Sequence, residues 1–282
     1  MTALHGCGTC GAQKALWPAS GCGMGWRSSR WTGVGDVAGI GGEGGMEKLY
    51  GPVPYDINVA FPLDSTQLET LRLRLTPFIP SIHAEKYHAA ISDPTHFYRY
   101  YPFPGMEEPG SYLLFMDGFV RQNPYSILFA IIDRTTTDPE NPEWGGKLAG
   151  TIALLDYSPT NLSVEIGVLH IATHAVGALL KYCFSMPCPS QSESGLGLRR
   201  VHWYAHPDND ASLRLAARMG LKHEGTMIWV RVLPVGKTLG KTPRKNDLLE
   251  GPRRDTAILA ISWEDWEGGA REIVTTQMAR VK

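Results

Sequence analysis

The pattern of apolar and polar residues predicts alternating strands and helices from Tyr50 onward. Residues 71–76 read Leu-Arg-Leu-Arg-Leu-Thr, an alternation typical of a strand with one buried face. Further strands are predicted at 126–133, 147–156, 163–171, 200–205, 227–233 and 256–263. Apolar residues at helical spacing, together with end signals, predict helices at 81–90, 111–122, 173–184, 209–219 and 266–280. Seven strands and five helices indicate a mixed α/β (α+β) domain.

End signals and an aromatic segment refine this prediction. Ser81 is the expected N-cap of the first helix and Asn209 that of the fourth, since Ser and Asn are favoured caps. Gly220 supplies a left-handed stop for the fourth helix. Residues 97–103 contain five aromatic side chains near prolines. This segment is either a loop that faces the substrate or a packed aromatic cluster.

The first 45 residues follow a different pattern from the rest. Thirteen of the 31 glycines lie there, without strand or helix periodicity. Because glycine-rich chain loses much entropy on ordering, we expect residues 1–45 to be a disordered head and residues 46–282 to form the domain. The head contains Cys7, Cys10 and Cys22 near His5, and these four side chains could in principle bind a zinc ion. A second ordered ligand pair is missing, so the sequence favours incidental cysteines and predicts no metal.

Composition excludes several classes of function. The 282 residues are 43% hydrophobic, enough for a buried core, and the net charge is -1. Nucleic-acid binders normally carry a basic surplus, so no nucleic-acid partner is expected. No apolar stretch approaches about 18 residues, so no membrane partner is expected either. The cysteines do not demand an oxidising compartment, and we expect a cytoplasmic protein.

Residues 197–225 carry the most specific motif in the chain. They begin Gly-Leu-Arg-Arg-Val, continue through Pro-Asp-Asn-Asp-Ala-Ser into a helix, and end Gly-Leu-Lys-His-Glu-Gly. This segment resembles the acyl-CoA-binding half of GNAT-type N-acetyltransferases, especially the branch related to ribosomal-protein alanine N-acetyltransferases. Residues 165–167 and 173–184 are similar to the fourth strand and the coenzyme-binding helix of that branch. The implied GNAT fold has a central, mostly antiparallel sheet with helices on both faces and two strands that splay around acyl-CoA.

The resemblance implies transfer of an acetyl group from acetyl-CoA, as co-substrate, to an amine. The acceptor is either a protein N-terminus, which the branch favours, or a small-molecule amine, which the aromatic segment suits. Asn209 and Ser212 match the family's Asn and Ser near the coenzyme sulfur, and Ser212 is counted with the catalytic residues. The pyrophosphate is expected at the N-terminus of the helix that begins at Thr173, since helix N-termini bind anions. The cofactor-binding positions expected there are Val168, His170, Ala172, Thr173, His174 and Ala175.

A base must deprotonate the acceptor, because a lysine-like amine with a pKa of about 10.4 is almost wholly protonated at neutral pH. Glu165 on the fourth strand is the expected base, acting directly or through water. Its alternative role is that of a solvated residue on a strand face, and the alternative for Asn209 is a helix cap alone. His202, Tyr204 and His206 share one strand face but lack a fitting carboxylate or cysteine, so they do not predict a metal site.

The chain departs from the family pattern before Thr173. Thr173 follows Glu165 by only eight residues, about half the usual separation, so the phosphate-binding loop is damaged. An ungapped alignment places Gly167, His170 and Ala172 in this loop. Three explanations fit: weak coenzyme binding by the helix end, a non-catalytic GNAT-fold binding protein, or an imperfect gene model. The sequence leaves monomer and homodimer open.

Overall fold

A computed structural model describes residues 50–103, 106–167, 173–187 and 194–280. The predicted disordered head, its cysteines and the zinc alternative lie outside these residues. The same holds for residues 168–171 of the predicted fourth strand.

Within the described ranges, seven strands form one sheet, which confirms the predicted fold class. Their order across the sheet is β1-β2-β3-β4-β5-β7-β6, and every neighbouring pair is antiparallel except β4 and β5. The strands are β1 (Leu73–Pro77), β2 (Ile127–Asp133), β3 (Lys147–Ser158), β4 (Ser163–Gly167), β5 (Arg200–Ala205), β6 (Lys222–Val232) and β7 (Arg253–Ser262).

Helices connect the strands and cover the sheet. They are α1 (Pro80–Ala89), α2 (Pro94–Phe97), α3 (Pro109–Phe115), α4 (Thr173–Phe184), α5 (Asp210–Arg218), α6 (Trp263–Asp265) and α7 (Arg271–Ala279). A π-helical segment, Met116–Arg121, continues α3, and another, Trp266–Ala270, joins α6 to α7. A short 3-10 turn, Pro142–Trp144, precedes β3.

One face of the sheet carries the main apolar core. The inward residues of the strands pack there with α4, α5 and α7, and the centre includes Phe129, Val201 and Trp203. Alternation along the strands sends the next residues to the opposite face. On that face, α1 and α3 pack through Tyr87 and Tyr112, whose rings stack at 5.1 Å. We call this second side the α1–α3 face.

Several predicted boundaries were wrong for local reasons. Ser81 is not a cap: α1 begins at Pro80 after Ile79, and proline is suited to the first helical turn. β6 begins five residues before the predicted Met227, since an edge strand with exposed polar residues shows little alternation. The last helical region begins at Trp263 because Ser262 caps it. The bounds predicted for α4 and β5 are confirmed.

No helix in the described ranges is long and apolar enough to cross a membrane.

Replacing Phe129 by alanine is expected to reduce the free energy of unfolding by about 3–5 kcal/mol. Phe129 is 0% exposed and lies in the central part of the core, so truncation leaves a cavity. Leu71, at 95% exposure, provides the control, and Leu71→Ala should change stability little. Urea unfolding of both variants measures the difference. Equal losses in the two variants would contradict this assignment of the core.

Candidate active site

The neighbouring parallel strands β4 and β5 separate after a short paired stretch. Among the described residues, their last pair joins Glu165 to His202. β4 continues to Gly167 and β5 to Ala205, and each remains paired with its other neighbour, but the two no longer pair with each other. We call the space between these two strand ends the β4–β5 gap. Its facing backbone groups need partners, because backbone N–H and C=O groups are rarely left without hydrogen bonds.

Glu165 lies on the α1–α3 face at the last paired position before the gap. Its neighbours along the strand, Val164 and Ile166, point into the core on the opposite face. A Cβ atom built on Gly167 would lie 3.1 Å from Glu165 Oε1 and 2.9 Å from Leu155 Cδ1. The glycine therefore leaves the room that the Glu165 carboxyl occupies.

The electrostatics of Glu165 suit a proton acceptor. Burial of the carboxyl, reinforced by the negative charge of Asp156, raises the pKa of Glu165 to about 8. The positive charges of Arg231 and Arg254 offset this only in part. A carboxyl with this pKa exchanges its proton near neutral pH, as a general base requires.

The titratable neighbours of Glu165 on β5 are less suitable bases. Burial, with a smaller effect of Arg200, lowers the pKa of His202 to about 4, so its imidazole is neutral and weakly basic. His202 Nδ1 is buried without a hydrogen-bond partner. Burial raises the pKa of Tyr204, whose ring centroid lies 5.1 Å from that of His202. Of these three groups, only Glu165 titrates close to neutral pH.

Ser212 and Asn209 are held at the start of α5. The Asn209 side chain accepts a hydrogen bond from Ser212 N at 3.2 Å, which confirms the predicted N-cap. Ser212 Oγ accepts a hydrogen bond from Trp203 Nε1 at 2.9 Å. Trp203 belongs to the part of β5 that borders the gap. The Ser212 hydroxyl keeps its own hydrogen for a further acceptor.

Of the predicted phosphate-binding residues, the structure describes Thr173, His174 and Ala175. They form the first turn of α4; Thr173 and His174 are half-buried, and Ala175 is buried in the core. Ala175 can therefore offer a ligand its backbone N–H but not its side chain. Burial, with the nearby charge of Arg72, lowers the pKa of His174. Arg72 is a cation close to the helix end that was not among the predicted site residues.

The other predicted positions, Val168, His170 and Ala172, lie outside the described residues. They remain predictions, together with any backbone cradle between β4 and α4.

The aromatic segment at residues 97–103 contributes to packing and to the border of the site. Tyr98 and Phe103 are buried, as a packed cluster requires. Tyr100 instead reaches the end of β5: its hydroxyl donates to the Asp208 carbonyl at 2.9 Å, and its ring lies 5.4 Å from that of His206. The packed cluster therefore describes Tyr98 and Phe103, whereas a role of Tyr100 in facing the substrate stays a prediction.

Two arginines near Glu165 were also missing from the predicted site. Arg254 on β7 is opposite Arg231 on β6 and lies on the same face of its strand as Ile258, which pairs with Tyr204. The residues that follow Arg254 on this face of β7 are Thr256, Ile258 and Ala260, so no clear apolar alternation marks the arginine in the sequence. The sequence pattern predicts a start of β7 only at Thr256, which leaves Arg254 in the preceding loop.

Structural comparison finds the same fold in known acetyltransferases. A GCN5-related N-acetyltransferase from Brucella melitensis is 22% identical, with a TM-score of 0.57 over 75% of this chain and 85% of that one. A putative acetyltransferase from T. thermophilus is 21% identical, with a TM-score of 0.55 over 78% and 98%. Mycobacterium smegmatis RimJ, solved in complex with CoA-disulfide, is 18% identical, with a TM-score of 0.50 over 72% and 88%.

Sequence comparison supplies the family. No curated protein sequence matches the chain. The family model of the acetyltransferase (GNAT) domain, however, matches residues 72–222, which is more than half of the chain. The chain therefore belongs to the GNAT acetyltransferase family, and it is an acyltransferase.

Proposed function

We propose that the protein transfers the acetyl group of acetyl-CoA to an amine by direct attack, with Glu165 as the general base. The observation that carries this proposal is the coincidence of two features. Pairing between β4 and β5 stops at Glu165, and the carboxyl at that position has a pKa of about 8. A thioester in the gap would therefore lie beside a group able to accept the proton of the amine.

The residues around the β4–β5 gap fit an extended acyl-coenzyme arm. The unpaired edges of both strands offer backbone hydrogen bonds, as a strand added to a sheet would use. Ser212 would donate its remaining hydroxyl hydrogen close to the sulfur. The first turn of α4, with Arg72 nearby, would take the pyrophosphate, because a helix N-terminus and a cation both attract anions.

The proposed reaction needs one proton acceptor and one open path to the thioester. Glu165 takes a proton from the acceptor ammonium, directly or through water, which frees the nitrogen lone pair. The nitrogen then forms a bond to the thioester carbonyl carbon, and the carbon–sulfur bond breaks. The electron pair leaves with the coenzyme A sulfur, and the second amine proton is released as the amide forms. The protein itself is not acetylated at any stage.

The acceptor is proposed to be a protein N-terminus or a small amine. Similarity to the ribosomal-protein branch favours an N-terminal amine. The position of Tyr100 beside His206 favours an acceptor that reaches the border of the site between the aromatic segment and the end of β5.

Replacing Glu165 by glutamine is expected to lower kcat/KM about 10²- to 10⁴-fold, the usual loss when a general base is removed. In the unmodified protein, activity should fall as the pH drops through about 8, because the carboxylate is then protonated. The variant should lack this limb of the profile. Release of coenzyme A thiol between pH 6 and 9 provides the measurement.

Glu224→Gln is the matched control for this experiment. Glu224 is exposed, and its hydrogen bonds and ion pair with Arg200 lower its pKa. The control should therefore keep the limb near pH 8. Retention of that limb and of full activity in Glu165→Gln would remove Glu165 from the mechanism. Failure of the unmodified protein to release thiol with any amine would reject the proposed function.

Replacing Gly167 by alanine is expected to lower kcat about 10- to 100-fold, since a displaced catalytic group is costly. The added Cβ would lie 2.9 Å from Leu155 Cδ1 and 3.1 Å from Glu165 Oε1, so both side chains must shift. Gly110→Ala is the control, because a Cβ there meets no atom within 4 Å. Steady-state kinetics and thermal unfolding of both variants separate a displaced base from a folding defect. Equal kcat values in the two variants would refute this role of Gly167.

A further inference from the structure

Arg254 is a buried arginine with few polar contacts among the described residues. The residue is only 7% exposed, and its Nε is buried without a hydrogen-bond partner. Nη1 donates to Thr256 Oγ1 at 3.1 Å. Among the described residues, no carboxylate forms an ion pair with it. By contrast, the adjacent Arg253 pairs with Asp255 at 3.2 Å.

A buried guanidinium with so few partners destabilises the fold unless a bound anion compensates its charge. Removing a charged group from water requires compensating charge or hydrogen bonds, and one hydroxyl partner supplies little of either. Burial and the nearby positive charge of Arg231 lower the pKa of Arg254 to about 10, which reflects this cost. The guanidinium nevertheless stays protonated at neutral pH and keeps free N–H donors.

A second cation lies at the same position of the sheet. Arg231 is opposite Arg254 in the β6–β7 ladder, and it is exposed where Arg254 is buried. Like charges directly opposite each other are destabilising in a sheet. Among the described residues, Arg231 has no ion-pair partner either. We call these two guanidiniums, one buried and one exposed, the arginine pair.

The arginine pair lies on the same face of the sheet as the proposed base. The positive charges of both arginines act to lower the pKa of Glu165, against the effect of burial. The negative charge of Glu165 in turn acts to raise the pKa of Arg254. Strand alternation places Arg254 on the face of β7 that, across β5, carries Tyr204. Burial and the positive charge of Arg254 also lower the pKa of His206, at the end of β5. An anion bound by the arginine pair would therefore lie on the α1–α3 face, the face that carries Glu165.

We propose that the acceptor carries a carboxylate near its amine and that Arg254, assisted by Arg231, binds this carboxylate. This inference rests on the proposed acetyl transfer and specifies its substrate class. A planar carboxylate matches the forked donors of a guanidinium. Arg254 and Glu165 lie on the same face of the sheet, so the simplest acceptor that meets both groups carries its amine and its carboxylate on one residue. Two sources satisfy this requirement: a free amino acid, or a peptide whose N-terminal residue is acidic.

Two pairs of acceptors test the proposal with acetyl-CoA as donor. Alanine is compared with alaninamide, and the peptide Asp-Ala-Ala-amide is compared with Asn-Ala-Ala-amide. In at least one pair, the acid form should have a kcat/KM about 10- to 100-fold above that of the amide form, mainly through a lower KM, because a charged hydrogen-bond partner is gained. The pair that shows the preference identifies the source of the carboxylate.

Variants of Arg254 assign the preference to this residue. Arg254→Gln should abolish the preference, whereas Arg254→Lys should retain part of it. Removing the Arg254 charge also changes the pKa of Glu165, which alters the rate with every acceptor, so the acid-to-amide ratio and not the absolute rate is the readout. The acid-to-amide ratio of each variant, divided by that of the unmodified protein, cancels the intrinsic reactivities of the amines. Arg218→Gln, which removes an exposed arginine from α5, should keep the full ratio.

The outcomes separate this proposal from the proposed function. Transfer to acid and amide forms at equal rates would overturn the carboxylate site and leave acetyl transfer intact. Absence of transfer to every acceptor would reject the proposed function. The carboxylate site would then be tested by ligand binding alone. In that case N-acetylalanine or N-acetylaspartate, but not the corresponding amide, should raise the melting temperature of the unmodified protein and not that of Arg254→Gln. Equal shifts with acid and amide, or no shift with either, would overturn the proposal.

Discussion

The interaction on which the site depends is the parallel pairing of β4 with β5, which ends at Glu165 and His202. Up to that pair, the sheet is continuous and its backbone groups satisfy one another. Beyond it, each strand is still held by its other neighbour, so the gap is built on a rigid frame. This arrangement presents unpaired backbone edges at the centre of the sheet, where a ligand can complete the ladder.

The same position determines the chemistry proposed for the site. Glu165, at the last paired position, lies on the α1–α3 face, and Gly167 leaves its carboxyl the necessary space. Burial of this carboxyl and the negative charge of Asp156 together raise its pKa. On the other side of the gap, Trp203 connects the core to Ser212 through one hydrogen bond. Packing and reactivity are thus coupled through adjacent residues of two strands.

Much of the fold was predictable because local patterns agree with it. The bounds of α4 and β5 follow from their periodicity, and Asn209 caps α5 as its residue type suggests. The arginine pair was not predictable in this way. Arg231 and Arg254 are more than 20 residues apart, and a loop with little periodicity separates them. Only the register of the β6–β7 ladder brings them opposite each other. The pKa of Glu165 was equally hidden, since it depends on residues from three other strands.

Hydrogen–deuterium exchange with and without acetyl-CoA tests most directly whether the β4–β5 gap holds the coenzyme. If it does, amides in the peptides that cover residues 163–167 and 200–206 should exchange more slowly when acetyl-CoA is present, because the bound arm supplies their missing partners. Peptides of β2, whose backbone groups pair with β1 on one side and β3 on the other, should remain unchanged. Saturating acetyl-CoA that leaves both gap peptides unaffected, or protects only distant segments, would contradict the account.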